Sequence, residues 1–258
     1  MEIKQKKVLI TGANRGIGLG LAKAFYDEGA HVLMGMRNPK KFDLKDNGFA
    51  DEGRAECVAI DMGSFETIDK FIKENVEHDI DILVNNAGQL TGGLLENQDI
   101  KAIYSMFQVN LVGLVHLTQG LLPQMVKRGS GKIVNNASVS GVMHLPCAST
   151  YAAAKTGVVA FTNSLSLELK GTGVTTLTLI TPGIKTRMFD EIADLYSDNI
   201  DLSQLSSISP EEYAQKVLSA IKNDKLFYKP SGSVGVALCL ARYLPFLFRK
   251  LGTMGFKR

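Results

Sequence analysis

Apolar residues in this chain fall mainly into short unbroken runs, separated by longer stretches where they recur every three or four positions. Lys7-Val-Leu-Ile-Thr11 ends at a glycine and reads as a buried strand. His31-Val-Leu-Met-Gly35, Ala55-Glu-Cys-Val-Ala-Ile60, Ile80-Asp-Ile-Leu-Val84, Lys132-Ile-Val-Asn135 and Val174 to Ile180 read the same way, and Lys225-Leu-Phe-Tyr-Lys-Pro230 is a short candidate seventh strand. Between the first two runs, Ile17, Leu21, Ala24 and Phe25 can share one helical face over Ile17 to Glu28, and Gly29 closes that helix. Helical spacing also predicts long helices from about Asp99 to Met125 and from Ser149 to Lys170. Ile184 to Ser209 is the least regular part, with a polar stretch at Asp198-Asn-Ile-Asp201.

Strands joined by helix-length crossovers predict an α/β fold: a single-domain, doubly wound parallel sheet of Rossmann type with helices on both faces. No linker or repeat divides residues 1–258. Within that one domain, 184–209 is a candidate substrate-loop region and 231–258 an apolar, basic C-terminal extension.

Composition narrows the function. With 45% hydrophobic residues in 258, the chain can bury a sizeable core. Its 29 Lys and Arg against 26 Asp and Glu give a net +3, too even for nucleic acid as the main partner. Cys57, Cys147 and Cys239 fit neither a CxxC metal site nor an even disulfide framework. Three reduced thiols in a cytoplasmic protein, with no metal, are expected. Met1 to Lys7 is charged and lacks the apolar core of a signal peptide, and no run reaches the ~18 apolar residues of a spanning helix.

Chemistry concentrates at the ends of the strands. Thr11-Gly-Ala-Asn-Arg-Gly-Ile-Gly18 joins the first strand to the first helix. Gly12 permits a tight turn, Gly16 lets the backbone approach a pyrophosphate, and Gly18 allows helix and strand to pack closely. Phosphates would sit at the helix N-terminus, where free N–H groups and the helix dipole favour anions. The glycine spacing is GxxxGxG, distinct from the GxGxxG fingerprint. Asn85-Asn-Ala-Gly88 follows the fourth strand and Ser138 the fifth. Tyr151 and Lys155 form a YxxxK pair on a predicted helix, which puts them on one face. A tyrosine, with a free pKa of about 10, is a sluggish acid or base at neutral pH, and a nearby ammonium would lower that value. Ser138, 13 positions before Tyr151, can hydrogen-bond an oxygen on which charge develops.

Taken together, TGxxxGIG, NNAG and Ser…YxxxK resemble the short-chain dehydrogenase/reductase family. The resemblance is strong over about residues 6 to 190. It implies catalytic roles for Asn110, Ser138, Tyr151 and Lys155, with Asn110 holding a water that links Lys155 to solvent. Lys155 would also hold the nicotinamide ribose, alongside Tyr151. The implied cofactor contacts are the turn residues Gly12, Asn14, Arg15, Gly16, Ile17 and Gly18. Asp61 and Met62 would meet the adenine, and Asn86, Ala87 and Gly88 would line the cleft. Near the nicotinamide come Pro182, Gly183, Ile184 and Thr186, although Pro182-Gly-Ile-Lys-Thr186 is one residue shorter before its threonine than the common pattern.

The expected cofactor is NADP(H). Where the family's NAD enzymes carry an acid after the second strand, this chain has Met36, which cannot accept hydrogen bonds from ribose hydroxyls. Arg37 follows it, and Arg15 lies in the glycine turn. Two guanidinium groups there suit a 2′-phosphate. Leu94, Val142, Met143, Leu145, Met188, Phe189, Ile192 and Leu195 make the segments expected around the substrate apolar, which points to a small hydrophobic ketone, aldehyde or secondary alcohol. His144 reads as a surface or helper residue. A homo-oligomer, dimer or tetramer, is expected. The extension from Gly235 to Gly252 has two readings: a helix packed on the core or on a second subunit, or an interfacial amphipathic helix in peripheral contact with a membrane. A non-catalytic NADP-binding redox sensor on the same fold is the alternative function, and the presence of both Tyr151 and Lys155 weighs against it.

Overall fold

The structure is a computed structural model, and it describes residues 1–50, 53–75, 79–200 and 206–258. The chain runs β1 (Lys7–Thr11), α1 (Gly16–Asp27), β2 (His31–Met36), β3 (Ala55–Ala59), α2 (Phe65–Asn75), β4 (Ile82–Asn85), α3 (Ile100–Phe107), α4 (Gly113–Arg128) and β5 (Gly131–Asn136). It continues α5 (Ser149–Glu168), β6 (Val174–Leu179), β7 (Gly183–Ile184), α6 (Arg187–Tyr196), β8 (Ser207–Ile208), α7 (Pro210–Lys222), β9 (Phe227–Tyr228), α8 (Gly232–Tyr243) and α9 (Pro245–Gly252). Seven strands form one sheet in the order β3-β2-β1-β4-β5-β6-β9, and every pairing is parallel. This is the doubly wound Rossmann-like arrangement expected. The order reverses between β1 and β4, and ligands of such sheets bind at that switch point.

The strands are continuous apolar runs because both faces of the sheet are covered. Val8 and Ile10 of β1 join a cluster with Leu21 and Phe25 of α1 and Tyr213, Val217 and Ile221 of α7. Leu9, between them, points to the other face, where Ile68 and Phe71 of α2, Leu117 and Leu121 of α4 and Leu165 of α5 pack. The register sets Leu9 beside Leu33 and Leu83. The short seventh strand is present as β9, parallel to β6 at the sheet edge.

Three features differ from the sequence expectations. The long helix from Asp99 runs on as expected but contains a π-turn over Gln108–Val112. By length and composition the whole stretch Ile100–Arg128 could cross a membrane, but its buried face, including Leu114, Leu117, Leu121 and Met125, lies in the core. The segment read as least regular contains α6, although Asp201 and residues 202–205 lie outside the described residues. And α7 follows it with full start signals: Pro210 in the first turn, Glu211 and Glu212 beside it, and the Ser209 hydroxyl accepting from the Glu212 N–H at 3.1 Å. A methyl on Gly20 would stand 3.0 Å from the Pro210 carbonyl oxygen, so α1 and α7 approach closely there.

Candidate active site

The C-terminal ends of β1, β4, β5 and β6 open into a cleft of ≈ 1270 Å³. At its floor, the Thr11 hydroxyl accepts from the main-chain N–H groups of Asn86 and Ala87, both at 3.0 Å. Asn86 Nδ2 donates to the Thr11 carbonyl at 3.0 Å, and Asn136 Nδ2 donates to Asn86 Oδ1 at 3.0 Å. These bonds lock the turns after β1, β4 and β5 to one another.

The glycine turn fits a pyrophosphate. Gly12 and Gly16 have φ of +67° and +53°, where a side chain would be strained. A methyl on Gly18 would lie 2.1 Å from the Gly12 carbonyl oxygen. α1 begins with no acidic residue in its first turn and no side-chain cap, so its N–H groups face the cleft unopposed. Thr186 stands across from this turn, its methyl 3.0 Å from the position a Gly16 Cβ would take. The shortened Pro182–Thr186 segment therefore faces Thr186 towards the phosphate end. Ile184 is buried in the short β7–β8 pair, and it lines the cleft with Pro182 and Gly183.

At one end of the cleft, Met36 occupies the acid's position, buried at the end of β2. Arg15 and Arg37 line this end, and so do Asn38 and Lys41. The lysine was not anticipated. It belongs to a single 3-10 turn, Pro39–Lys41, whose Pro-Lys-Lys sequence gives no sign of facing a site. Asp61 holds the Gly63 N–H at 2.9 Å and, with Met62, lines the same wall.

At the opposite end the expected catalytic residues converge. Ser138 caps the 3-10 turn after β5, accepting from the Ser140 N–H at 3.1 Å, and its hydroxyl stands close enough to the Tyr151 phenol to favour its ionised form. Lys155 is buried, and its ammonium donates to the Asn136 carbonyl at 2.8 Å. Asn110 sits in the π-turn with its side chain bonded twice to Gln89: Oδ1 accepts from the Gln89 N–H at 2.7 Å and Nδ2 donates to the Gln89 carbonyl at 2.8 Å. π-Turns are rare and concentrate at functional sites. This one aims an amide at the loop beyond Gly88, whose added methyl would come 3.4 Å from Asn110 Oδ1 and 3.9 Å from Lys155 Nζ.

The electrostatics correct one expectation. An ammonium was expected to lower the phenol's pKa, but burial pushes Tyr151 up to about 12, and only the Ser138 hydrogen bond works against that. Burial also lowers Lys155 to about 8. Because the lysine's bond goes to Asn136 rather than to the phenol, desolvation outweighs its charge.

Of the apolar residues expected around a substrate, Met143, Leu145, Met188, Phe189 and Ile192 line this end of the cleft, and so do Leu90, Tyr196, Ile200 and Val234. Leu94 and Leu195 support this wall from behind, in a cluster with Cys147 and Tyr196, and Val142 packs with Val158 and Ile180. Tyr196 is buried, and burial, with Tyr151 and Cys147 nearby, raises its pKa. A methyl on Gly92 would lie 2.0 Å from its ring, so the tyrosine needs a glycine opposite. His144 stands outside the wall, its Nε2 3.4 Å from the Thr156 hydroxyl.

Residues 6–196 match the family model described as short chain dehydrogenase. The chain belongs to the short-chain dehydrogenase family. Among curated relatives, the ketoacyl reductase HetN of Nostoc is 33% identical over 222 residues, 84% of this chain and 76% of that protein. The uncharacterized oxidoreductase YbbO of Escherichia coli is 32% identical over 255 residues, 95% of this chain and 92% of its own. Among solved structures, a short-chain dehydrogenase from Streptomyces avermitilis superposes with a TM-score of 0.82 at 26% identity, covering 97% of this chain and 96% of that one. A short-chain dehydrogenase from Burkholderia cenocepacia in complex with NADP gives 0.81 at 25% identity, covering 97% and 99%. This short-chain dehydrogenase is therefore an oxidoreductase that uses a nicotinamide cofactor.

Proposed function

We propose that this enzyme uses NADP(H) and interconverts a hydrophobic carbonyl compound and its alcohol, with Tyr151 as general acid/base. The carrying observation is the Ser138–Tyr151–Lys155 arrangement at the apolar end of the cleft. The bound cofactor supplies or accepts the hydride. Tyr151, held protonated by burial at neutral pH, gives its proton to the substrate oxygen, a task for which a pKa of about 12 leaves the acid form fully populated. Ser138 donates a hydrogen bond to the same oxygen as its charge grows. Lys155, still charged below about pH 8, sustains a positive potential beneath the phenol, and a water held at Asn110 would link it to solvent. In the oxidative direction the phenol must first lose its proton, which its environment opposes.

NADP preference is supported by Met36 in the acid's place and by three cations, Arg15, Arg37 and Lys41, lining that end of the cleft. The NADP complex of the Burkholderia structure points the same way, and the ketoacyl reductase name of HetN supports a carbonyl substrate. A panel of ketones, aldehydes and alcohols, assayed with NADPH, NADH and their oxidised forms, tests the proposal. Turnover of hydrophobic carbonyls with NADPH, abolished by Tyr151→Phe, is the expected result. Activity confined to small charged substrates, or unaffected by Tyr151→Phe, would overturn it.

A further inference from the structure

Segment 225–258 differs from the rest of the chain in charge and surface. It carries seven Lys and Arg and no Asp or Glu, so residues 1–224 are net −4 in a chain of +3. α8 is tied to the body through Leu238, which packs with Ala137, Val158 and Ile180. α9 is not. Phe246 is 84% exposed and Met254 72%, with Leu244, Leu247 and Leu251 exposed beside them. Leu247 and Leu251 lie one turn apart, and Arg249 and Lys250 sit between them in sequence with no ion pair among the described residues. A fold that hides Leu9, Leu21 and Leu117 completely leaves these side chains in water.

An exposed apolar patch of this kind marks a contact site. The charge decides the partner. Two copies of this segment would bring fourteen cations together, of which, among the described residues, only the two Arg258 side chains have an acid, Glu96, beside them. A bilayer surface instead offers hydrocarbon below a layer of anionic headgroups, matching both halves of the pattern. We propose that α8–α9 docks the protein peripherally on an anionic phospholipid bilayer, with Phe246, Leu247 and Leu251 in the interface and Arg249 and Lys250 against the phosphates. The site lies beside the cleft: a methyl on Gly252 would stand 3.0 Å from Leu145, and both Leu145 and Val234 line the cleft. Docking would thus set the cleft's apolar mouth near the lipid, a consequence that rests on the hydrophobic-substrate reading; the docking itself does not.

The test is co-sedimentation of the full chain with vesicles of phosphatidylcholine alone and with vesicles that also contain phosphatidylglycerol. The expected result is pelleting with the anionic vesicles only, reversed by salt. Phe246→Asp, and Arg249→Glu combined with Lys250→Glu, should each weaken binding by at least about tenfold. Circular dichroism and thermal melting confirm that these surface variants stay folded. Equal behaviour with both vesicle types, binding unchanged by the variants, or variants that only convert a dimer to a monomer in analytical ultracentrifugation would each overturn the proposal. None of these readouts depends on turnover, so docking and the enzymatic reading fail independently.

Discussion

The ammonium of Lys155 lies 5.7 Å from the centre of the Tyr151 ring, while its hydrogen bond runs 2.8 Å in another direction, to the Asn136 carbonyl. The two residues share a helical face yet are not bonded. Burial governs both groups, pushing the phenol up and the ammonium down, so the protonation of the lysine is separable from that of the tyrosine.

The first prediction is a pH profile. Lys155 is lowered to about 8 and loses its charge as pH rises through that value, whereas Tyr151, raised to about 12, keeps its proton throughout. Reductive kcat/KM should be flat near neutrality and decline on an alkaline limb with an apparent pKa near 8. In Lys155→Arg that limb should move up, because a guanidinium does not deprotonate there. A reductive rate that climbs steadily with pH would remove Tyr151 as the acid.

Removing the proton donor should act mainly on the chemical step. Tyr151→Phe is expected to lower kcat by about 10²–10⁴-fold, with a much smaller loss of NADPH affinity, measured by fluorescence titration, from the missing ribose contact. Ser138→Ala should cost about 10²–10³-fold, since it deletes one donor to the developing oxyanion. If both variants raised KM and left kcat intact, the two residues would be binding groups only.

Cofactor choice should follow the basic end of the cleft. Charge-assisted hydrogen bonds contribute about 1.5–3 kcal/mol each, so Arg37→Ala or Lys41→Ala should weaken NADPH by about 10–100-fold. NADH affinity should scarcely move. An equal loss for both cofactors would mean that these side chains hold the fold rather than the phosphate.

Two glycines separate cofactor from substrate effects. Gly18→Ala drives a methyl to 2.1 Å from a main-chain oxygen, which cannot step aside cheaply, so weakened cofactor binding and a loss of about 1–3 kcal/mol in stability are expected. Gly92→Ala meets the Tyr196 ring at 2.0 Å, so it should change KM across a series of substrate sizes and spare cofactor binding. An unchanged substrate series would remove Tyr196 from the wall.

The parts legible in the sequence share a cause. Strands covered on both faces must be apolar runs, and the residues just beyond them cannot avoid the cleft; Gly12, Asn86, Ser138 and Thr186 were therefore placed by counting from a strand end. Tyr196, Lys41 and Val234 reach the same cleft from helices and a turn whose positions depend on packing with distant segments. Nothing local in Pro39-Lys-Lys41 announces a cleft. α7 carried its own start signals at Ser209 and Pro210 and was readable, but an irregular stretch before it masked them. The depressed acidity of Tyr151 was illegible for another reason: it depends on how much water the fold leaves around the phenol, which no spacing encodes.

The wide turn at Gln108–Val112 sets a constraint on chain length. One residue of α-helix is ~100° of rotation. Deleting a single residue here would let α3 and α4 run as one regular rod, a gain in local geometry. It would also swing everything before the cut by a little over a quarter of a circle and pull Asn110 away from Gln89. In this stretch, then, insertions and deletions should be tolerated far less than exchanges of one side chain for another, because the count of residues carries the information.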